Sequence, residues 1–216
     1  MIRVEFHCHT IESKDSLTTP ENLLEACRIK HIDRVVITDH NTIAGALLAR
    51  KLDPERVIIG EEIMTPHGEI LAAFVKEEIP PGLPPMEVIA RLREQDAFIS
   101  LSHPFDKLRD GHWKFEVLLE IFPHVDAVEI FNSRNMWPGG NKQAEEFAEK
   151  HGLPGTVGSD AHTAYEIGKA TMLLPEFNDS SSLKSEVKNA QYETKTSSFW
   201  IHLTSRYAVW KKAQMR

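Results

Sequence analysis

Two cysteines in 216 residues, Cys8 and Cys27, are too few for a disulfide framework, and both read as reduced core thiols. No apolar run approaches the roughly 18 residues of a membrane span. The N-terminus Met1-Ile2-Arg3-Val4-Glu5-Phe6-His7 has neither a long apolar stretch nor a small-residue cleavage site, so no signal peptide is expected. Positive charge is also short: 25 Lys and Arg stand against 32 Asp and Glu, a net charge of −7. The chain as a whole should therefore not attract nucleic acid or anionic membranes. That count leaves room for a local cationic site if metal ions sit among the acids. There is no internal repeat and no Gly-x-Ser-x-Gly nucleophile elbow. The expectation is a soluble, cytoplasmic protein.

An apolar content of 41% over this length supports one domain with a full core. Strand-like and helix-like stretches alternate from the start. Strands are expected at Ile2–Phe6, Arg34–Thr38, Val57–Gly60, Gly68–Val75, Ala97–Leu101, Ala127–Phe131 and Thr156–Gly158, with a weaker one at Ala170–Leu174. Between them, helices are expected from Pro20 to about Lys30 behind the cap Thr19, then at Thr42–Lys51, Met86–Gln95, Lys114–Ile121 and Gln143–His151, with a weak one at Leu183–Ala190. Such alternation implies a parallel sheet, and about seven units fit a seven-stranded α/β barrel. The whole of 1–216 is read as one barrel domain with its core ending near 190. The basic, aromatic segment beyond it contains Phe199–Arg216, expected to pack Trp200, Leu203, Tyr207 and Trp210 onto the body with Lys211 and Lys212 in solvent.

Histidine is what the sequence has in quantity: 11 residues. His31, His124, His151 and His202 are read as ordinary core or surface histidines. His67 lies in a turn and His112 in a loop, and the other five fall at strand ends with acids among them. His7 and His9 follow the first strand, Asp39 and His40 the second, Glu61 and Glu62 the third, His103 the fifth, Asn132 the sixth, Asp160 and His162 the seventh. In a parallel barrel the C-terminal strand ends are where sites are built. Imidazole with carboxylate suits Zn²⁺, Fe²⁺ or Mn²⁺ rather than Ca²⁺.

These fragments resemble the PHP (polymerase and histidinol phosphatase) family, in its order along nearly the whole chain. They are Phe6-His7-Cys8-His9-Thr10, Ile37-Thr38-Asp39-His40-Asn41, Gly60-Glu61-Glu62-Ile63, Leu101-Ser102-His103-Pro104-Phe105, Glu129-Ile130-Phe131-Asn132-Ser133 and Gly158-Ser159-Asp160-Ala161-His162. The resemblance implies a distorted seven-stranded, TIM-like barrel holding two or three divalent ions. It assigns His7, His9, Glu62 and Asp160 to a first ion, and Glu62, His103 and the position of Asn132 to a second. Asp15, His40 and His162 go to a third. Glu62 rather than Glu61 takes the bridging role, because the family's Glu stands two residues after the Gly. Asn132 departs from the His or Cys of many relatives.

The implied activity is metal-dependent phosphoesterase chemistry on a phosphomonoester of a small molecule, a nucleotide or a histidinol-phosphate-like compound. Hydroxide generated at the metals would attack phosphorus, with Asp160, His162 and Glu62 as the catalytic residues. Arg134, Lys107, Arg109, His112 and His67 are candidates for substrate contact. The alternative is a PHP-type phosphodiesterase or exonuclease on nucleic acid, which the acidic charge disfavours. A metal-dependent C–N hydrolase and a non-catalytic metal-binding domain rank lower.

Overall fold

The computed structural model describes residues 1–109 and 112–214. Asp110 and Gly111 of the Phe105–Trp113 loop, and Met215 and Arg216 of the tail, lie outside the described residues.

The chain runs β1 (Ile2–Cys8), α1 (Pro20–Ile29), β2 (Arg34–Ile37), α2 (Ala44–Leu52), β3 (Val57–Thr65), β4 (Gly68–Ala73), α3 (Pro85–Glu94) and β5 (Phe98–Leu101). It continues α4 (Phe115–Ile121), β6 (Ala127–Asn132), α5 (Gly140–His151), β7 (Gly155–Gly158), β8 (Ala170–Leu174), α6 (Ser180–Glu186), β9 (Gln191–Thr194) and α7 (Ile201–Gln214). Local chemistry sets several boundaries. Thr19 caps α1 by accepting from the Asn22 N–H, with Pro20 in the first turn. Gly152, at φ 66°, closes α5 in the left-handed conformation that glycine adopts without strain.

The strands form one sheet in the order β7-β6-β5-β4-β3-β2-β1-β8-β9. It curls until β1 meets the end of β7: Cys8 bridges Ala161, and the His9 N–H donates to the Ala161 carbonyl at 2.8 Å. The result is a nearly closed barrel. Gly158 sits at the closure, where a Cβ would fall 2.4 Å from the His7 Cβ and 2.5 Å from Glu129 Oε1, so only glycine fits.

Nine strands replace the expected seven, and the sheet is mixed. β3 and β4 are joined by a turn of only two residues, Pro66 and His67, and a connection that short forces antiparallel pairing. β4 is antiparallel to β5 as well, and β8 and β9 add antiparallel strands beside β1. Each of β1–β8 sends residues to an inner cluster that includes Val4, Phe6, Val36, Ile58, Phe98 and Val157, with Leu183 of α6 packed into it. A larger cluster lies between the sheet and the helices, among them Leu23, Ile37, Ile70 and Leu92.

A register shift in β1 between Glu5 and Cys8 resets the side-chain alternation. The alternation that puts Val4 and Phe6 in the inner core would put Cys8 there too; instead Cys8 joins the outer cluster and His7 stands among the polar groups.

The tail does form a helix, but its orientation differs from expectation. Trp200, Leu203, Tyr207 and Trp210 are 70%, 50%, 53% and 58% exposed, while Ala208 is buried. The helix is held by polar anchors instead. Arg134 Nη1 and Nη2 donate to Ser205 Oγ and Nη2 to the Ile201 carbonyl, and Lys212 donates to the carbonyls of Ile11 and Ser13. Lys212 is thus an anchor rather than a solvated charge. Among the described residues no helix is long and apolar enough to cross a membrane.

Candidate metal centre

His7 near the end of β1 and His9 just past it bring their Nε2 atoms within 3.1 Å of each other. Glu62 Oε2 lies 3.3 Å from His7 Nε2 and 3.5 Å from His9 Nε2. Asp160 Oδ1 lies 3.6 Å and 3.1 Å from the same two nitrogens. These five separations are close to the edge of a tetrahedron of ligands around an ion at about 2.0–2.1 Å.

Beside this quartet, Glu62 Oε1 stands 3.1 Å from His103 Nε2, and Glu62 Oε2 stands 3.1 Å from His40 Nδ1. Glu69 completes that side, with one oxygen 3.3 Å from His40 Nδ1 and the other 3.3 Å from His103 Nε2. Next to these, Asp15 Oδ2 lies 3.1 Å from His162 Nε2 and 3.7 Å from His40 Nε2. His103 and Asp160 both adopt positive φ, 23° and 51°, backbone geometry that tends to persist where a site holds it.

The hydrogen-bond network assigns the imidazole tautomers. His7 Nδ1 faces Glu129 Oε1 at 2.8 Å and must donate to it, which leaves the Nε2 lone pair free. His162 Nδ1 donates likewise to the Asp160 carbonyl at 2.8 Å. The Ser13 hydroxyl gives its proton to Asp39 Oδ1 at 2.6 Å, so its oxygen accepts from the His40 N–H and from His9 Nδ1. Three imidazoles are thus set with bare Nε2 atoms converging, the tautomer that metal ligation requires.

Charge points the same way. Burial alone would raise the Glu62 and Asp160 carboxyls, yet surrounding cations hold both well below the usual range. The imidazoles of His7 and His40 do this for Glu62, and Arg109 and His7 for Asp160; the imidazole protons are what a bound ion would displace. His9 is pushed down to about 3 by burial and by His162 and His40, so it is a neutral donor. Several buried atoms lack a hydrogen-bond partner among the described residues: Glu62 Oε2, His162 Nε2 and Asp15 Oδ1. Such orphans in a buried site are costly unless a ligand satisfies them. Three groups of residues each bring one ligand atom apiece within 4.8 Å of one another: His7-His9-Glu62, His40-Glu62-Glu69 and His9-His40-His162. The donor set and its orphaned atoms fit divalent cations.

Glu61 and Glu62 lie on opposite faces because β3 continues through both. Glu61 accepts from the Ile79 N–H at 3.0 Å, away from the cluster, and burial pushes it up to about 8. Asn132 reaches the site edge, but its oxygen accepts from the Arg134 N–H at 2.9 Å. Its amide nitrogen faces Glu129 and Asp160. Arg134 is committed to Glu166 Oε1 at 2.7 Å and to α7. Arg109 reaches into the site and pairs with Asp160 and Asp106. Lys107 lies over the Trp137 ring, 5.5 Å from its centroid. His112 is exposed and His67 is half-buried in the β3–β4 turn; neither belongs to a ligand group.

Two residues, Glu69 and Glu129, are given no place at the site by the sequence reading, and Asp39 is placed there without a role. Glu69 is the second residue of an antiparallel strand, so a search of C-terminal strand ends passes over it. Glu129 and Asp39 orient ligands from behind, and the Glu-x-x-Asn spacing on β6 was the available signal for Glu129. Above the cluster opens a cavity of about 670 Å³, whose wall includes His202, Ser205 and Arg206 of α7. His202 therefore has a place at the site that its position in the sequence did not suggest.

Comparison with known proteins agrees with this geometry. The PHP-associated family model matches residues 138–191. An uncharacterized protein of Methanocaldococcus jannaschii, MJ0417, is 41% identical over 180 residues, covering 82% of this chain and 72% of its own. The fold is similar to that of a protein from Bifidobacterium adolescentis described as a metal-dependent phosphoesterase. That likeness has a TM-score of 0.65 at 19% identity, covering 84% of this chain and 94% of the other. It is also similar to the lesion-specific endonuclease EndoQ of Pyrococcus furiosus, with a TM-score of 0.59 at 15% identity, covering 87% and 56%. With its ordered motifs, its curled mixed sheet and its converging imidazoles and carboxylates, this chain belongs to the PHP family.

Proposed function

We propose that the protein is a metal-dependent phosphoesterase that hydrolyses a phosphomonoester of a small molecule, of the size of a nucleotide or a histidinol-phosphate-like compound. The observation that carries this is the pair His7 and His9, whose Nε2 atoms lie 3.1 Å from each other and 3.1–3.6 Å from an oxygen of Glu62 and one of Asp160. A related fold in a protein described as a metal-dependent phosphoesterase supports the same class.

In this reading the quartet holds one divalent ion, Zn²⁺, Mn²⁺ or Fe²⁺. Glu62 is shared with a second position bounded by His103, Glu69 and His40, and Asp15, His40 and His162 bound a third. Ions so held supply Lewis acidity toward phosphate oxygens and a water that ionises near neutral pH. The chain's own groups do the rest. Glu129, Ser13 and the Asp160 carbonyl keep His7, His9 and His162 in the ligating tautomer. Arg109, beside Asp160 on the cavity wall, orients the phosphate, and its charge opposes excess negative charge in the floor. Asp160, held ionised, is placed to take a proton from the attacking water and return it to the departing alkoxide, and His162, 3.5 Å from it, lines the cavity. The cavity of about 670 Å³ suits a small ester better than a duplex.

The test is metal content and turnover together. Protein reconstituted with Mn²⁺ or Zn²⁺ is expected to retain at least two ions per chain and to hydrolyse p-nitrophenyl phosphate faster than its bis-ester or a short oligonucleotide. His9→Ala and Asp160→Ala are expected to abolish turnover while the circular dichroism spectrum is kept. Activity surviving both substitutions, or no retained metal, overturns the proposal; preference for the oligonucleotide replaces monoester with diester chemistry.

A further inference from the structure

The buried face of α7 recurs at helical spacing through Ile201, Ser205, Ala208 and Lys212, all buried or half-buried. His202 and Arg206, one position further round at i and i+4, consequently turn toward the cavity and line it. The anchors that fix this rotation are buried or doubly bonded: Arg134 to Ser205 and Ile201, Lys212 to the carbonyls of Ile11 and Ser13. The second anchor grips the loop that carries Lys14 and Asp15, so α7 and this loop form one continuous wall.

The charges on that wall are unevenly committed. Arg109 is paired with Asp160 and Asp106, and Arg134 with Glu166. Lys14 and Arg206 line the same cavity and engage no acid among the described residues. Of the acids there, Asp15 faces His162 and His40, Glu69 faces His40 and His103, and Asp106 faces Arg109, which leaves only Glu12 without a cation. Two unpaired cations therefore look into a space whose floor already attends to one phosphate.

We propose that Lys14 and Arg206 form a subsite for a second anionic group on the substrate, so that the preferred ester carries a phosphate or carboxylate at its far end. This rests on the phosphoesterase reading of the floor, and it makes α7 a specificity wall rather than a passive tail. Both side chains are exposed at the cavity mouth, where they meet an incoming anion before it reaches the metals. A long polyanion gains little from a subsite that closes one side of the cavity, whereas a small doubly anionic ester spans floor and wall.

Calorimetric titration of the metal-loaded protein with non-hydrolysable phosphonates tests this without requiring turnover. Benzylphosphonate carries one anionic end; 4-carboxybenzylphosphonate and p-xylylene diphosphonate carry a second. The doubly anionic pair is expected to bind about 10-fold tighter, the worth of a charged hydrogen bond. The double variant Lys14→Ala/Arg206→Ala is expected to bring that ratio to about one, and Arg206→Lys to restore part of it. Whichever of the two doubly anionic ligands binds tighter identifies the second group. Equal binding of all three by the native protein, or an undiminished ratio in the double variant with its melting temperature kept, overturns the subsite. Turnover of phenyl phosphate is followed separately: a retained ratio without turnover supports the subsite and removes the hydrolase reading, whereas turnover without a ratio does the reverse.

Discussion

Glu129 accepts from His7 Nδ1 at 2.8 Å with one oxygen and from the His103 backbone N–H at 2.8 Å with the other. One carboxylate on β6 thereby fixes a ring on β1 and the strained backbone, φ 23°, of a residue after β5. Because both groups lie at the site, the orientation of two separate candidate ligands depends on one buried side chain that stands behind them.

Glu129→Gln is expected to lower divalent-metal affinity about 10–100-fold, the usual cost of losing a carboxylate behind a ligating histidine. The amide cannot accept from His7 and donate elsewhere without breaking the bond to the His103 N–H or to Asn132. Competition with a chromogenic chelator measures it; affinity within twofold of native would show that the contact is not orienting.

Glu69→Gln keeps shape and removes the charge shared by His40 and His103. The expected outcome is loss of one ion per chain by elemental analysis, with the quartet's ion retained. Full stoichiometry in the variant would remove Glu69 from the site.

Arg134→Ala leaves Glu166, fully buried, without its cation and frees Ser205 and Ile201 of α7. A buried pair broken on one side costs about 3–5 kcal/mol. The variant should melt lower and be cut by protease within the α7 region first, before the body is degraded. A melting temperature equal to native would contradict the anchoring role.

Burial raises the Cys27 thiol to about 12, with Glu5 adding to the effect. Its folded pKa exceeds the unfolded value of about 8.5. The associated stability is therefore complete below that pH and declines as pH rises from there toward 12. Native protein at pH 8 is expected to be inert to iodoacetamide at both Cys8 and Cys27, with both alkylated once unfolded. Fast labelling of the folded chain would contradict the closed packing.

Legibility varied from element to element for physical reasons. Strands such as Arg34–Ile37 and Phe98–Leu101 are short runs rich in β-branched and aromatic residues, and length and residue type rather than period made them readable as strands. Gln191–Thr194 is exposed on every residue and carries no apolar alternation, so β9 exists only because β8 offers an edge to pair with. The aromatic spacing of α7 announced a helix but pointed to the wrong face. Arg134 and Lys212 decided its rotation, and neither contact has a signature in local sequence.

At the site, the sequence by itself determined the donor chemistry: His7, His9, His40, His103 and His162 with Glu62 and Asp160 stand beside strand ends in an order no local pattern imitates. Tertiary structure decided which atoms meet. A two-residue turn reversed β4 and brought Glu69 in from the opposite strand end, and strand alternation sent Glu62 inward and Glu61 away. The folded chain also gave the Asn132 oxygen to a backbone N–H and folded α7 over the cavity mouth. Residue type is fixed one position at a time, but coordination depends on distances between strands, and those exist only when the barrel has curled on itself.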